Sequence, residues 1–474
     1  MNISNSNISA LKPAVLCLLI FFVVSCGKKK KSYDLLISHV NIVNIASGEI
    51  EEDKLILING DSISQIVDAK AIENYKAEKE LNANGKFVIP GLWDMHVHFR
   101  GGDTLIGENK NLLPLFLAYG VTTVRDAGGD ITPSVLKWRK AVAENKMAGP
   151  TIFTSGPKLD GENPAWPGSI SVTNQQEAAA ALDSLQELDV DYVKMYDGSL
   201  SPEAYYAIIQ EAEKRGMKTT GHMPLAADFL KAVSLGLNGA EHMYYPLKAC
   251  SPVADSLSQL NLGYGMMETL IDTYDPQLAG EVFTRMEENE VFITPTLYIG
   301  KTLAEILEVD HSRDTLLPYV GKGIKATYQG RIEGAKRAKA SGSQMRAKME
   351  NISAKMIRPM QDAGVKILAG SDSGAFNSFV YAGESLQKEL EALVAAGLSP
   401  QEALATSVIN GPEFFDVLGR YGDISRGKVA DLLLLDNNPL KDIKNVHNVF
   451  AVVKSGKVFT RQELQAMLHS LAEK

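Results

Sequence analysis

The chain has 474 residues, of which 45% are hydrophobic and 22% are charged, a composition typical of a globular protein with one large domain or two smaller ones. Its formal net charge of −9 argues against a nucleic-acid partner, because such partners normally require a basic face. The composition therefore favours small molecules as partners.

The N-terminus predicts a secreted lipoprotein. Lys12 precedes a short apolar segment that ends in VVSCG around Cys26, and this segment is too short to span a bilayer comfortably. The ending resembles the bacterial lipobox. We expect a signal peptide over residues 1–26, lipid on Cys26 and a tether over residues 27–32. Such a protein is anchored to a membrane of the bacterial cell envelope and faces the periplasm or the exterior. The alternative is an uncleaved anchor or an ordinary secretory signal.

Both ends of the remaining chain predict short strands. Residues 33–67 and 428–459 alternate short apolar runs with turn residues, including a Ser-Gly-Lys turn suited to a hairpin. We expect residues 33–87 and 426–460 to form one small β-domain. A C-terminal helix is expected over residues 461–474.

Between these ends, residues 88–425 alternate apolar runs with longer helical patterns. The runs read FVIPGLWDMHVHF, GVTTVRDAG, PTIFTSGPKL, DYVKMYDG, KTTGHMP, NGAEHMYY, VFITPTLY and VKILAGSDSG. About eight such units predict an α/β fold in which a parallel sheet closes into a TIM-like (β/α)₈ barrel. The charged stretch over residues 302–356 exceeds the length of plain units, and we expect it to form extra helices.

Polar side chains stand at the ends of five of these predicted strands, where a (β/α)₈ barrel carries its catalytic groups. They are His96, His98, Lys194, His222, His242 and Asp372. His96 and His98 are one residue apart in a strand, so their side chains share a face and can bind one ion. A single histidine at a strand end is more often an ordinary core residue, but five strands with such residues indicate a metal centre.

Lys194 is unusual in this set, because an ammonium group has no lone pair for a metal and is repelled by divalent ions. Carboxylation by CO₂ would convert it into an anionic carbamate, whose two oxygens could bridge two metals about 3.5–4 Å apart. The alternative is an ordinary surface lysine that closes a strand.

Taken in chain order, these motifs resemble the metal-dependent amidohydrolase superfamily over nearly the whole mature chain. The matching segments are PGLWDMHVHF, YVKMY, TTGHMP, GAEHM, LAGSDSG and GDISRGKVADLLLLDNNPL. Lys194 and GHMP most resemble the imidazolonepropionase-like and prolidase-like members. Where many relatives have an Asn-Pro-Ala segment, this chain has VINGPEFFDVLG, which weakens placement in a subfamily more than it affects the mechanism.

The resemblance implies a barrel that carries the metals and a small β-sandwich built from both chain ends. It also implies a binuclear metal centre. In this arrangement His96, His98 and Asp372 hold one ion, His222 and His242 hold the other, and carboxylated Lys194 and a hydroxide bridge them.

The expected function is hydrolysis of carbon–nitrogen bonds in amides, cyclic amides or dipeptides. Two divalent ions, with zinc the default choice, lower the pKa of a shared water and polarise the substrate carbonyl. Asp372 then accepts a proton and passes it to the leaving nitrogen. Four residues near strand ends are candidates for substrate binding, although packing or a salt bridge would explain each equally well: Arg125, Tyr196, Tyr244 and Tyr298.

Three alternatives stay open. A mononuclear deaminase would use His96, His98, a third histidine and Asp372, but it would not need Lys194. Lactone or ester hydrolysis uses the same metals, because hydroxide attack does not require nitrogen. A surface binding protein that has lost its chemistry would not need all six residues. A homo-oligomer is compatible with each of these.

Overall fold

The computed structural model of the protein describes residues 30–260 and 262–472. The expected signal peptide, Cys26 and half of the expected tether lie outside the described residues. Within the described ranges, no helix combines the length and the apolar character that a membrane crossing requires.

The chain alternates strands and helices along most of its length. The strands are β1 Lys31–Val43, β2 Ile50–Asn59, β3 Ser62–Asp68, β4 Tyr75–Asn82, β5 Phe87–Pro90, β6 Leu92–His98, β7 Val121–Asp126, β8 Thr151–Thr154, β9 Leu159–Asp160, β10 Ile170–Ser171, β11 Val193–Met195, β12 Thr219–Gly221, β13 Gly239–Glu241, β14 Phe292–Thr294, β15 Ser373–Gly374, β16 Leu432–Leu435, β17 Val449–Lys454 and β18 Lys457–Thr460. The α-helices are α1 Ile106–Lys110, α2 Leu113–Ala118, α3 Thr132–Ala143, α4 Gln175–Glu187, α5 Pro202–Arg215, α6 Phe229–Ser234, α7 Tyr244–Ala249, α8 Ala254–Gln259, α9 Met267–Asp272, α10 Pro276–Glu288, α11 Leu297–Ala304, α12 Lys322–Thr327, α13 Gln329–Ala340, α14 Met345–Asp362, α15 Glu384–Ala395, α16 Pro400–Val408, α17 Asn410–Phe414 and α18 Arg461–Ala472.

An eight-stranded sheet joins the two ends of the chain. Its order is β18-β17-β16-β5-β1-β2-β3, and β4 pairs with β1 beside this path. The two ends meet where β16 runs antiparallel to β5, with Leu433 opposite Ile89. Alternate residues of β1 belong to different apolar clusters, Leu35 and Ile37 to one and Leu36 to another, because successive strand side chains point to opposite faces. Strands from both chain ends thus share one sheet, whereas a separate small β-domain and its arrangement as a sandwich stay predictions.

Three groups of parallel strands form the central part of the fold. Their orders are β15-β6-β7-β8, β10-β9-β11-β12 and β13-β14. With helices between the strands, the chain has an α/β fold. The hydrogen-bonded ladders of the described residues do not join into one ring, so the closed barrel stays a prediction.

The ladders are interrupted because many central strands have only two or three residues. The eighth predicted strand, VKILAG, is replaced by a bridge between Ile367 and Ile293 and by the short β15. Asp372 lies between them with φ +58°, outside the extended region, and its N–H donates to the carbonyl of His96 at 2.7 Å. The backbone at this strand end is therefore hydrogen-bonded but irregular.

The long segment between β14 and β15 contains the extra helices that the sequence predicts. These are α11 to α14, and α11 packs against α13 and α14. Apolar residues of α11 and α13, including Ile299, Leu303 and Ala335, form a small cluster separate from the main core. The segment places these helices beside the strand ends described next.

Candidate metal centre

The six polar residues predicted from the sequence converge in the structure. Each lies within a central strand or directly beside its end: His96 and His98 in β6, Lys194 in β11, His222 after β12, His242 after β13 and Asp372 before β15. The ring centroids of His96 and His242 are 5.3 Å apart, and those of His222 and His242 are 5.0 Å apart. Residues from five separate chain segments therefore form one cluster.

Three of these residues present their ligand atoms to a common point. The Nε2 atoms of His96 and His98 are 3.2 Å apart, and Oδ1 of Asp372 lies 2.9 Å from Nε2 of His98 and 3.6 Å from Nε2 of His96. One ligand atom from each residue falls within 4.8 Å of the others. Two imidazoles and a carboxylate are suitable donors for a divalent metal ion, so this group fits one.

Burial keeps both histidines of this group neutral. Loss of water contact lowers the pKa of each well below its usual value, and the charge of Lys194 lowers both further. A neutral imidazole has a lone pair for a metal, whereas an imidazolium does not. The two side chains are thus in the protonation state that metal binding requires.

His222 and His242 are oriented by hydrogen bonds at Nδ1. The partner of His222 is Oδ1 of Asp197 at 3.0 Å, and the partner of His242 is the hydroxyl of Thr296 at 2.7 Å. With Nδ1 engaged, Nε2 is available as a ligand atom, and Nε2 of His242 lies 3.9 Å from Oδ2 of Asp372. Burial lowers the pKa of His242 to about 3.

Lys194 is fully buried, and its ammonium nitrogen contacts Oε2 of Glu241. Neither of these two atoms has a partner with hydrogen-bond geometry among the described residues. Burial, followed by the charge of Arg125, lowers the pKa of Lys194 well below its usual value. The surface-lysine alternative is therefore wrong, because the amine lies inside the fold beside the candidate metal ligands.

Arg125 lies inside the fold rather than at a substrate surface. Its side chain has no exposed area, and it donates through Nε to the carbonyl of Met95 at 2.6 Å and through Nη2 to Glu241 and Thr294, both at 3.1 Å. The substrate-binding role expected for Arg125 does not agree with this position. Its guanidinium instead compensates the charge of Glu241.

A cavity of about 350 Å³ opens over the cluster. His222, His242 and Asp372 line it, and so do Tyr196 and Tyr244, two of the residues predicted to bind substrate. The ring of Tyr196 stacks on His222 with centroids 4.4 Å apart.

Tyr298, the remaining candidate, is not among the residues that line the cavity. Its backbone N–H donates to Glu389 at 2.7 Å. Tyr298 is thus beside the site without contributing to the cavity surface.

Three buried or nearly buried carboxylates of the site were missed by the sequence reasoning. Glu241 lies 3.4 Å from Nδ1 of His96, and Asp197 orients His222. Asp94 accepts hydrogen bonds from the backbone N–H and the hydroxyl of Ser371, at 2.9 and 2.6 Å, and so ties the strand of His96 to the segment of Asp372. Each of the three is within three residues of a predicted ligand in the sequence, which is the signal that could have found them.

The chain is similar to known proteins over most of its length. Residues 87–459 match the amidohydrolase family. The ochratoxinase of Aspergillus niger is 23% identical over an aligned length of 431, and the match covers 78% of this chain and 75% of that protein. An adenine deaminase of Thermosipho africanus is 36% identical over 106 residues, but this match spans only 22% of the chain and 17% of the deaminase.

Solved structures share the fold. The crystal structure of a Xaa-Pro dipeptidase with methionine bound in its active site superposes with a TM-score of 0.65 and 21% identity, covering 90% of this chain and 99% of the dipeptidase. At this identity the likeness concerns the fold alone.

Proposed function

The chain belongs to the amidohydrolase family and is a hydrolase of carbon–nitrogen bonds, and we propose that it cleaves small amides, cyclic amides or dipeptides with the help of two divalent metal ions. The observation that carries the proposal is the group of His96, His98 and Asp372, whose ligand atoms converge beside a cavity large enough for a small substrate. Asp372 belongs to both the group and the cavity wall. A substrate in the cavity would therefore meet the metal ligands directly.

We assign one ion to His96, His98 and Asp372, and the other to His222 and His242, with carboxylated Lys194 between the two ions. The support for the second part is positional. Lys194 is buried, and its nitrogen contacts Glu241 but has no partner with hydrogen-bond geometry among the described residues. The Nδ1 atoms of His222 and His242 are already engaged. When bound, divalent ions lower the pKa of a water molecule and polarise a carbonyl group, and zinc suits this set of ligands.

Asp372 is assigned the proton transfer. Its Oδ1 accepts a hydrogen bond from Nδ2 of Asn377 at 2.7 Å, which fixes the carboxylate plane. A carboxylate held at the cavity wall can accept a proton from the attacking water and deliver it to the leaving nitrogen. An amide nitrogen requires this proton because the unprotonated amide anion is a very poor leaving group.

Two features of the fold belong to the same proposal. We infer that the three parallel groups of strands are parts of one closed (β/α)₈ barrel, which would place all six ligands at strand ends around one axis. We also infer that the sheet built from both chain ends is a small β-sandwich. The parallel pairings and the bridge from Ile293 to Ile367 support the barrel.

The proposed location is the bacterial cell envelope, with the protein anchored through lipid on Cys26. Its support is the sequence of residues 1–27 alone. Mass spectrometry of the mature N-terminus would detect the lipid, and an unmodified Cys26 would contradict the anchor.

A mononuclear deaminase is the second candidate function. The compact group of His96, His98 and Asp372 favours it, because one ion held there is sufficient for a deaminase. The local similarity to an adenine deaminase points the same way. The burial of Lys194 beside the cluster favours the binuclear hydrolase, since a mononuclear site has no use for a carboxylated lysine.

Elemental analysis of a soluble chain that begins at Ser32, followed by a panel of amide and dipeptide substrates, tests the proposal. Two metal atoms per chain and hydrolysis of an amide are expected. One atom per chain with ammonia release from an aminated base would favour the deaminase. No metal after reconstitution, with no activity on any substrate, would contradict both.

A further inference from the structure

Two arginines from the helical segment between β14 and β15 lie at the cavity that opens over the metal ligands. Arg331 is in α13 and Arg346 is in α14, and both line this cavity. No carboxylate of residues 30–260 or 262–472 forms a salt bridge with either guanidinium. Glu350, which also lines the cavity, pairs with neither. The cavity thus has two cationic groups without a protein counter-ion in the described chain.

The pair is electrostatically unfavourable in the absence of an anion. Arg346 is partly buried, and the loss of water contact, followed by the charge of Arg331, lowers its pKa. Two like charges brought together in a partly desolvated site raise the free energy unless an opposite charge enters. An anionic group of a ligand would remove this cost.

Arg331 is connected to Asp372, the proposed catalytic aspartate, through the side chain of Asn377. It donates through Nε to the carbonyl of Phe376 at 3.3 Å and through Nη2 to Oδ1 of Asn377 at 3.2 Å. Asn377 in turn donates to Oδ1 of Asp372 at 2.7 Å. A single side chain therefore separates the arginine from Asp372, and the remaining Arg331 donors stay available to a ligand.

The guanidinium of Arg346 makes no hydrogen bond with other described residues, so its donors are also available. A guanidinium has five N–H groups in a planar fork that matches the two oxygens of a carboxylate. The two arginines therefore provide more donors than one carboxylate needs.

Other parts of the cavity wall are apolar. Ile299 and Leu303 of α11, Met345 and Met349 of α14, and Met243 contribute to its wall. Methionine side chains adapt to irregular apolar shapes, which suits a range of aliphatic or aromatic groups. A ligand of this cavity is expected to combine a negative charge with an apolar group.

We propose that Arg331 and Arg346 bind the free carboxylate of the substrate, which makes the substrate an N-acyl amino acid or a dipeptide with an apolar C-terminal side chain. This inference rests on the proposed amide hydrolysis and narrows it: neutral amides and cyclic amides without a carboxylate are poor substrates. It also replaces Arg125, which is enclosed in the fold, as the arginine that recognises the carboxylate.

The test measures binding, so that it does not depend on turnover. The probe is a ketomethylene analogue of an N-acyl-phenylalanine, in which CH₂ replaces the amide nitrogen and hydrolysis cannot occur. Isothermal titration calorimetry with the metal-loaded full chain compares this acid with its carboxamide. The acid should bind about 10- to 100-fold more tightly, the range expected for hydrogen bonds to a charged group. Equal binding of the two probes would overturn the inference.

Substitutions then test whether the two arginines cause the tighter binding of the acid. Arg331→Gln and Arg346→Gln should each weaken binding of the acid about tenfold or more and leave binding of the carboxamide within about threefold. Arg337→Gln is the matched control, because Arg337 is exposed on the same helix as Arg331 and its loss removes the same charge. If Arg337→Gln weakened binding of the acid as much as the cavity variants do, the net charge of the protein would explain the effect. That result would overturn the inference.

Kinetics separates this inference from the proposed function. If N-acyl-phenylalanine and its carboxamide are hydrolysed with equal kcat/KM, the inference fails and amide hydrolysis stands. If the acid binds selectively through both arginines but no amide is cleaved, carboxylate recognition stands and the proposed function fails.

Discussion

The ammonium nitrogen of Lys194 lies against Oε2 of Glu241, and neither side chain has any exposed area. The other oxygen of Glu241 accepts a hydrogen bond from Arg125 at 3.1 Å. Glu241 is thus the carboxylate that contacts both the side-chain nitrogen of Lys194 and the guanidinium of Arg125. Glu241 therefore contributes both to the stability of the fold, through Arg125, and to the surroundings of His96, a candidate metal ligand.

Substitution of Glu241 should destabilise the protein strongly. In Glu241→Gln the guanidinium of Arg125 stays buried without its counter-charge, and the free energy of unfolding should fall by about 3–5 kcal/mol. Urea denaturation monitored by circular dichroism measures this change. Glu350→Gln, which breaks no ion pair, should stay within about 0.5 kcal/mol of the unmodified chain. A similarly small change in Glu241→Gln would show that Arg125 does not need this carboxylate.

Removal of Lys194 should remove metal. Lys194→Ala eliminates the nitrogen that a carbamate requires, so both metal content and amide hydrolysis should fall to near background, with partial recovery in acetate. Lys194→Arg is the matched control, because it keeps a cation but cannot supply the same carbamate, and it should also fail to hold two metals. Metal analysis of the purified variants provides the measurement. A Lys194→Ala protein with unchanged metal content would eliminate the bridging role.

Asp372→Asn should separate metal binding from catalysis. The amide oxygen can still act as a ligand, but it cannot accept and return a proton, so kcat should fall about 10²- to 10⁴-fold while metal remains bound. Steady-state kinetics and elemental analysis of the same sample give both quantities. Near-normal kcat in this variant would remove Asp372 from the acid–base role.

The cluster of candidate metal ligands could be predicted because its signals are local or repeated. His96 and His98 share a strand face by simple alternation, and the other candidates recur after apolar runs of similar length. The supporting carboxylates lie within three residues of these positions, but the sequence does not show which partner each of them holds. Asp94 bonds Ser371, which is 277 residues away in the chain, and only the folded structure brings the two together. Sequence spacing therefore indicates the candidate ligands and the neighbourhood of their supporting carboxylates, but not the contacts that those carboxylates make.

Arg125 shows a different limit of the same reasoning. Its position near a strand end suggested the substrate surface, but a strand position does not say whether the side chain faces the cavity or the interior. Arg331 and Arg346 lie in the helical insertion, where no strand-end rule applies. Which arginine is paired inside the fold and which lies at the cavity depends on contacts between distant parts of the chain, and the sequence pattern does not show these contacts.

The buried Lys158 should make the protein more stable as the pH rises from neutral to alkaline values. Burial, followed by the charge of Arg100, lowers its pKa from 10.5 to about 7. Between these two values the unfolded chain holds a proton that the folded chain has released. Unfolding therefore takes up a proton, so the free energy of unfolding increases as the pH rises through that window. Below pH 7 the buried charge carries its full cost.

Lys158→Met should remove this dependence, because methionine fills a similar volume without a titrating group. The variant also loses the hydrogen bond from the ammonium group to the carbonyl of Gly128, so the informative quantity is the slope with pH and not the offset. Urea unfolding at pH 6, 7, 8 and 9 gives the free energy of unfolding of both proteins. The value for Lys158→Met minus the value for the unmodified chain should be largest at pH 6 and should decrease as the pH rises. Lys336→Met, on the exposed surface of α13, should give a nearly constant difference. If Lys158→Met also gave a difference independent of pH, Lys158 would keep its ordinary titration in the folded protein, and its burial would be compensated by the neighbouring carboxylates Asp126, Asp130 and Asp160.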